Sequence, residues 1–302
     1  MLGYLITFLI FLKEKTPEVV KKNSGYLLIF PSIVSIGVMF IGLMYLVYLS
    51  FQTYDVLQRF IPALTLENYY KTILTSGPQT TFFRTFYLSL LASFTSTILA
   101  IPYAYYTVRA PSSLIQKLLI ISILIPFFTG DVIKAYGWLA ALGRSGILGW
   151  FTEKLFGSSV SLINTPTAVF IGLVQLLLPL SVLIVAPSIA AVNRELEMAA
   201  QNLGATPFQT FIKVVLPLIK PGVLGSFIVS FTIAATEYAA PDLLGGGVNK
   251  FVANFIYMIM FNAVNYPYAA ASSIFLTLII SLIVYLILKV GKIGNIFIRG
   301  VR

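Results

Sequence analysis

The sequence predicts an all-α membrane protein with six transmembrane helices. Three observations carry that reading. Of 302 residues, 58% are hydrophobic and 10% are charged, against about 45–50% and about 25% in a soluble domain. The mean hydropathy is +0.93, and so few charged groups leave a soluble fold of this length without a polar surface. The apolar residues also gather into six runs, each long enough to cross a hydrocarbon core of about 30 Å, which takes about 20 helical residues. Finally, the runs are continuously apolar, whereas the strands of a membrane barrel alternate in polarity over about ten residues.

The first run extends from Tyr26 to Phe51 and the second from Phe82 to Val108. The third extends from Leu114 to Leu142, with Pro126 in its middle. The fourth, Thr165 to Ala191, is interrupted by Gln175 and by Pro179, which is expected to kink it. The fifth starts after Pro221 and fades near Ala240, and the sixth is Tyr268 to Leu288. Phe251 to Phe261 is apolar but too short to span, and fits a helix tucked partly into the membrane.

Met1 to Leu12 is also apolar, but as a helix it reaches only about 18 Å. No Lys or Arg precedes it and no small-residue cleavage site follows, so it reads as an interfacial helix rather than a cleaved signal. The expected organisation is an N-terminal interfacial and cytoplasmic segment (1–25), a transmembrane domain (26–290) with a long inside loop (193–220), and a cytoplasmic tail (291–302).

Charge sets the orientation. With the N-terminus inside, the inside segments carry thirteen basic residues against four acids, and the outside segments seven against six. The positive-inside rule counts the basic residues, so both termini are expected in the cytoplasm. The net charge of +10 then orients a membrane protein and does not mark a nucleic-acid binder. The chain has no cysteine and no histidine. That excludes a disulfide framework, thiolate metal sites, most zinc sites and Ser-His or Cys-His catalysis. No G-x-x-x-x-G-K-[ST] phosphate loop is present, so energy from ATP has to come from a partner chain.

The inside loop is the most informative segment. Asn193 is placed to cap a helix whose first turn holds Glu195 and Glu197, where the helix dipole favours acids. Leu196, Ala199, Ala200 and Leu203 recur at the spacing of one apolar face. Gly204 supplies a stop with positive φ, and Thr206-Pro207 opens a second short helix that Pro217 ends or kinks. The small residues on that face let another protein approach closely. A helix resting on lipid favours bulky Leu, Phe and Trp instead of paired alanines.

Ala199-Ala200, Gly204 and Val214-Val-Leu-Pro217 keep the spacing of the E-A-A, three residues, G, nine residues, I-x-L-P pattern. In this loop the sequence resembles the permease subunits of ABC importers. One position departs: Met198 stands where the pattern has glutamate, and Glu197 precedes it. The resemblance implies a MetI-like six-helix fold and a coupling helix that docks on a separate ATPase, with Glu197, Ala199, Ala200, Gly204, Leu216 and Pro217 as its residues. It implies further partners: a second permease chain, an extracytoplasmic solute-binding protein and the bilayer of the inner membrane. No cofactor is expected on this chain, ATP and Mg²⁺ being used by the ATPase. Leu66-Glu-Asn-Tyr69, Ile125-Pro-Phe-Phe-Thr129, Lys134-Ala-Tyr-Gly-Trp138, Glu237-Tyr-Ala-Ala-Pro-Asp-Leu-Leu-Gly-Gly246 and Asn265-Tyr-Pro267 look most like spermidine/putrescine permeases. Related permeases for ferric iron, aminoethylphosphonate or thiamine have similar segments.

Ionisable groups within spans are functional candidates. Counted along straight helices, Glu237, Asp131 and Lys134 fall at one level in the outer leaflet. Asp131 and Lys134, three apart, can simply neutralise each other, while Glu237 has no evident local partner. A carboxylate beside aromatic faces suits a polycation, and Tyr136, Trp138 and Tyr238 are near in sequence. The alternative for these aromatics is an interfacial belt. Gln175 either lines the path or bonds a neighbouring helix. Gly245-Gly-Gly247 is a hinge or only a turn. An ion-coupled secondary transporter would show paired broken helices at the midplane, and no such pair is evident.

Overall fold

The computed structural model describes residues 18–291, with side chains from residue 29 onward. The apolar stretch Met1 to Leu12 and the tail beyond residue 291 lie outside the described residues. The fold is all-helical, and a single isolated bridge, Thr53 to Ile61, is the one β pairing among the described residues.

Helix α1 (Glu18–Ser50) is followed by a short outer helix α2 (Glu67–Leu74) and by α3 (Ser76–Val108). Ser112 caps α4 (Ser113–Phe128), its Oγ accepting from the Ile115 N–H. Next come α5 (Asp131–Leu142), α6 (Ile147–Phe156) and α7 (Pro166–Ala190). Thr165 caps α7 with Pro166 in its first turn, where a proline loses no helix bond. Then follow α8 (Arg194–Asn202), α9 (Pro207–Thr210), a π turn at Phe211–Val215, α10 (Leu216–Leu218) and α11 (Lys220–Ala235). The chain closes with α12 (Ala239–Gly245), α13 (Val252–Tyr257) running into a π turn at Met258–Asn262, and α14 (Tyr266–Val290). The short apolar helix expected within Phe251 to Phe261 is therefore present, and Gly246 and Gly247, with φ of 56° and 76°, form a turn.

Four of these helices, α1, α3, α7 and α14, are long and apolar enough to cross a membrane alone, and two bent pairs bring the crossings to six. The bent pairs correct the sequence reading. The third span is not one helix from Leu114 to Leu142, because it bends by 99° between α4 and α5. Thr129 and Gly130 are extended there, with ψ of 132° and 145°. Asp131 then opens a new helix, where an acid meets the N-terminal dipole. The fifth span stops at Ala235 rather than Ala240. The Thr236 hydroxyl bonds back to the carbonyls of Thr232 and Ile233, each at 3.1 Å, and closes the last turn. Helix α7 runs as one helix from Pro166 to Ala190 with Pro179 inside it.

The centre of the molecule is α3 packed on α7, with α11 laid across both. Small residues line the contact. Ala92, Ser93, Ser96, Ala100 and Ala104 of α3 are all fully buried. Ser181 of α7 reaches Ser96 at 3.4 Å and Ser230 of α11 at 3.0 Å. In lipid, apolar side chains gain little by leaving the acyl chains for one another, so close backbone approach through small residues supplies the packing. Helix α1 lies against α14, and its apolar window buries no residue in this chain.

Candidate functional site

At the predicted cytoplasmic face the loop folds as its residues dictate. The Asn193 side chain accepts from the Glu195 N–H at 3.0 Å and starts α8. Gly204 takes φ of 88° just after the helix. Thr206 and Gln209 form a reciprocal capping box at the start of α9. Pro217 lacks an N–H, and its ring would collide with the carbonyl four residues back in a regular α-helix. The wider π turn at Phe211–Val215 accommodates it.

The expected apolar stripe points away from the rest of the chain. Leu196 is 48% exposed and Leu203 90%; Ala199 is exposed and Ala200 half-buried. Met198, at the pattern's glutamate position, is 55% exposed. Glu197 points the other way and is buried. Its Oε1 accepts from Arg109 Nε at 2.9 Å and Nη2 at 2.6 Å, and its Oε2 accepts from the Tyr105 hydroxyl at 2.7 Å. Arg109 Nη2 also donates to the Val192 carbonyl at 2.7 Å, past the end of α7. Glu197 thus holds the helix from behind, while Ala199 and Gly204 lie on its open side and Leu216 and Pro217 sit beyond the π turn.

At the opposite end, α5 and α7 bring part of the second predicted group together. Lys134 Nζ is 2.7 Å from Asp131 Oδ1, so the neutralising pair is formed. One turn on, Trp138 Nε1 donates to Gln175 Oε1 of α7 at 3.4 Å. Lys134, Trp138 and Gln175 line an open pocket of about 260 Å³. Glu237 has a local partner after all. Its Oε1 accepts from the Ala239 N–H at 3.0 Å, at the start of α12. Ala240, in the same turn, lines a small cleft together with Asp131, Lys134, Trp138 and Gln175, so this turn lies beside the pair although neither helix runs straight to it. Tyr136 and Tyr238 do not line the pocket. Tyr136 is 56% exposed, and the Tyr238 ring packs on Tyr257 at 5.2 Å.

Residues 75–290 match the family described as the binding-protein-dependent transport system inner membrane component. The chain belongs to that family. It is a permease subunit of an ABC importer and a component of the inner membrane. The spermidine/putrescine transport system permease protein PotB of Escherichia coli (strain K12) is 31% identical over 210 residues, covering 69% of this chain and 76% of that one. The protein of the same description in Haemophilus influenzae is 30% identical over 248 residues, 82% of this chain and 86% of that one. A chain from the crystal structure of a bacterial ABC transporter involved in import of the acidic polysaccharide alginate superposes with a TM-score of 0.76. It has 16% identity and covers 91% of this chain and 97% of that chain. The fold of this permease is therefore that of the importer permeases, and a fold that serves a polyanion in one transporter does not by itself select a cargo.

Two residues of this permease were not singled out in the sequence. Arg109 counted only as an orienting charge, and Tyr105 as part of a span. Their partner Glu197 lies 88 and 92 residues away, so no local spacing marks them. A basic residue directly after a span is the one signal available, and orientation explains it equally well.

Proposed function

We propose that this permease carries a polyamine of the spermidine/putrescine class from an extracytoplasmic binding protein to the cytoplasm. Two copies of the permease type, this chain and a second related one, enclose the path. A pair of ATPase subunits binds ATP and Mg²⁺ and moves the coupling helix α8, switching access from one side to the other. Chemistry on the cargo is no part of the role, and both termini lie in the cytoplasm. The observation that carries the coupling role is the posture of α8. Its acid is turned inward and its Leu196–Leu203 stripe outward, an apolar surface left exposed among the described residues. The named relatives support the cargo, together with a carboxylate, Glu237, in the turn whose Ala240 shares a cleft with Trp138.

The test is uptake of labelled spermidine by proteoliposomes holding the complete importer and its binding protein. Glu237→Gln keeps the shape and removes the charge. Uptake at low spermidine is expected to fall about tenfold or more, the loss of one charge-assisted hydrogen bond. Unchanged kinetics would remove Glu237 from the path. Native proteoliposomes that take up another solute and no spermidine would overturn the cargo.

A further inference from the structure

We infer that Arg109 is a positioning residue that locks α8 to the ends of α3 and α7, so that motion imposed on the coupling helix enters the core through those two helices as one body. The inference rests on the reading of α8 as the ATPase contact.

The geometry has four parts. Arg109 is the residue that ends α3, and its guanidinium faces two directions. Toward α8 it gives two hydrogen bonds to Glu197 Oε1, at 2.9 and 2.6 Å. Toward α7 it gives one to the Val192 carbonyl at 2.7 Å and a longer one to Ile189 at 3.4 Å. Those carbonyls end α7, where a cation is favoured by the helix dipole. Tyr105, one turn earlier on α3, donates to the other carboxylate oxygen and sets its ring edge-on against Phe211 of the π turn, centroids 4.9 Å apart. On the same side, Arg194 of α8 reaches the Val108 carbonyl at 3.4 Å.

Burial gives this node its stiffness. The Arg109 side chain is 14% exposed and that of Glu197 9%. An exposed ion pair fluctuates and is screened, whereas a buried one held by several charge-assisted hydrogen bonds keeps one geometry. The planar fork of arginine meets the carboxylate and the carbonyls together, which the single point charge of lysine does not. Among the described residues the outward face of α8 is exposed, and the node and the neighbouring turn hold its other side. A push on α8 is therefore delivered to α3 and α7, the central packed pair. Helix α7 carries Gln175, which bonds Trp138 beside the outer pocket. Rigid elements joined by hydrogen-bonded contacts are the physical route for such coupling.

The chain has no cysteine, so paired labels can be placed cleanly. Spin labels at Tyr106→Cys on α3 and Gln201→Cys on α8, both exposed positions, report the distance between the two helices in the assembled importer with and without nucleotide. In native background a narrow distribution is expected, with its centre unchanged to within about 2 Å between states. Arg109→Gln, and separately the isosteric Glu197→Gln, should broaden it and lower spermidine uptake per ATP hydrolysed by at least about fivefold. Arg109→Lys should fall between. A native α8–α3 distance that changes by several ångströms on nucleotide binding overturns the inference. So does native uptake per ATP in both Gln variants. Ala200→Arg on the outward face separates the two readings. If it blocks uptake while the Arg109 and Glu197 variants behave as native, only the lock is wrong. If it leaves ATPase assembly and uptake intact, the docking role of α8 fails and the lock with it.

Discussion

At the scale of single residues, two ion pairs show what sequence spacing can and cannot reveal. Asp131 and Lys134 are three apart on one helix, and their pairing was legible at once. The Asp131 side chain is 53% exposed and that of Lys134 10%, and Asp131→Asn keeps an oxygen that can accept from the lysine, so the change is small. Asp131→Asn is expected to shift the unfolding free energy by less than about 1 kcal/mol, measured by thermal unfolding in detergent. Arg109 and Glu197 are 88 residues apart, and only the packing of α3, α7 and α8 brings them together. Removing the arginine leaves a buried carboxylate without a partner. Arg109→Met is expected to cost about 3–5 kcal/mol, well beyond Asp131→Asn in the same assay. Equal melting shifts in the two variants would contradict that ranking. Glu197 itself was foreseen in the right helix but not on the inward side, because periodicity gives a face and not the neighbour it meets.

At the scale of elements, the segments that residue chemistry specifies locally came out as read. Asn193 and Thr206 cap helices, and Gly204 adopts positive φ. No heavy atom would crowd a Cβ at Gly204, so Gly204→Ala tests backbone strain alone. It is expected to destabilise by about 1 kcal/mol without displacing a neighbour. The breaks after Phe128 and Ala235 were not legible, since hydropathy continues across both and lipid accepts either a straight or a bent helix. The polar seam of Ser96, Ser181 and Ser230 was equally silent. Small hydroxyl residues lower hydropathy only slightly, and their partners lie on other helices. Ser181→Ala is expected to change stability by about 0.6 kcal/mol, the typical worth of an interhelical hydrogen bond in a membrane. Ser181→Leu, which has to push α3 and α11 apart where Ser96 and Ser230 are fully buried, should lose about 1–3 kcal/mol. Comparable losses in the two variants would show that packing at this seam is loose.

At the scale of the whole molecule, the fold class was legible because a bilayer constrains both composition and length. The number of apolar runs sets the expected crossings, and lysine and arginine set the expected side of each loop. A reporter fused after Arg302 is expected to be active only as a cytoplasmic form, and an outside signal would invert the topology. The cargo was less legible. The proposed cargo contacts come from separate segments, Glu237 just after α11 and Trp138 on α5, and no local spacing links them. The central claim is that this permease is driven by an ATPase acting on the outward face of α8. The most direct measurement is ATP-dependent solute uptake by the reconstituted importer with native α8 and with Ala200→Arg. Uptake that requires ATP in the native protein and vanishes in the inserted, folded variant is the predicted result. Undiminished uptake in the variant, or native uptake without ATP, would contradict it.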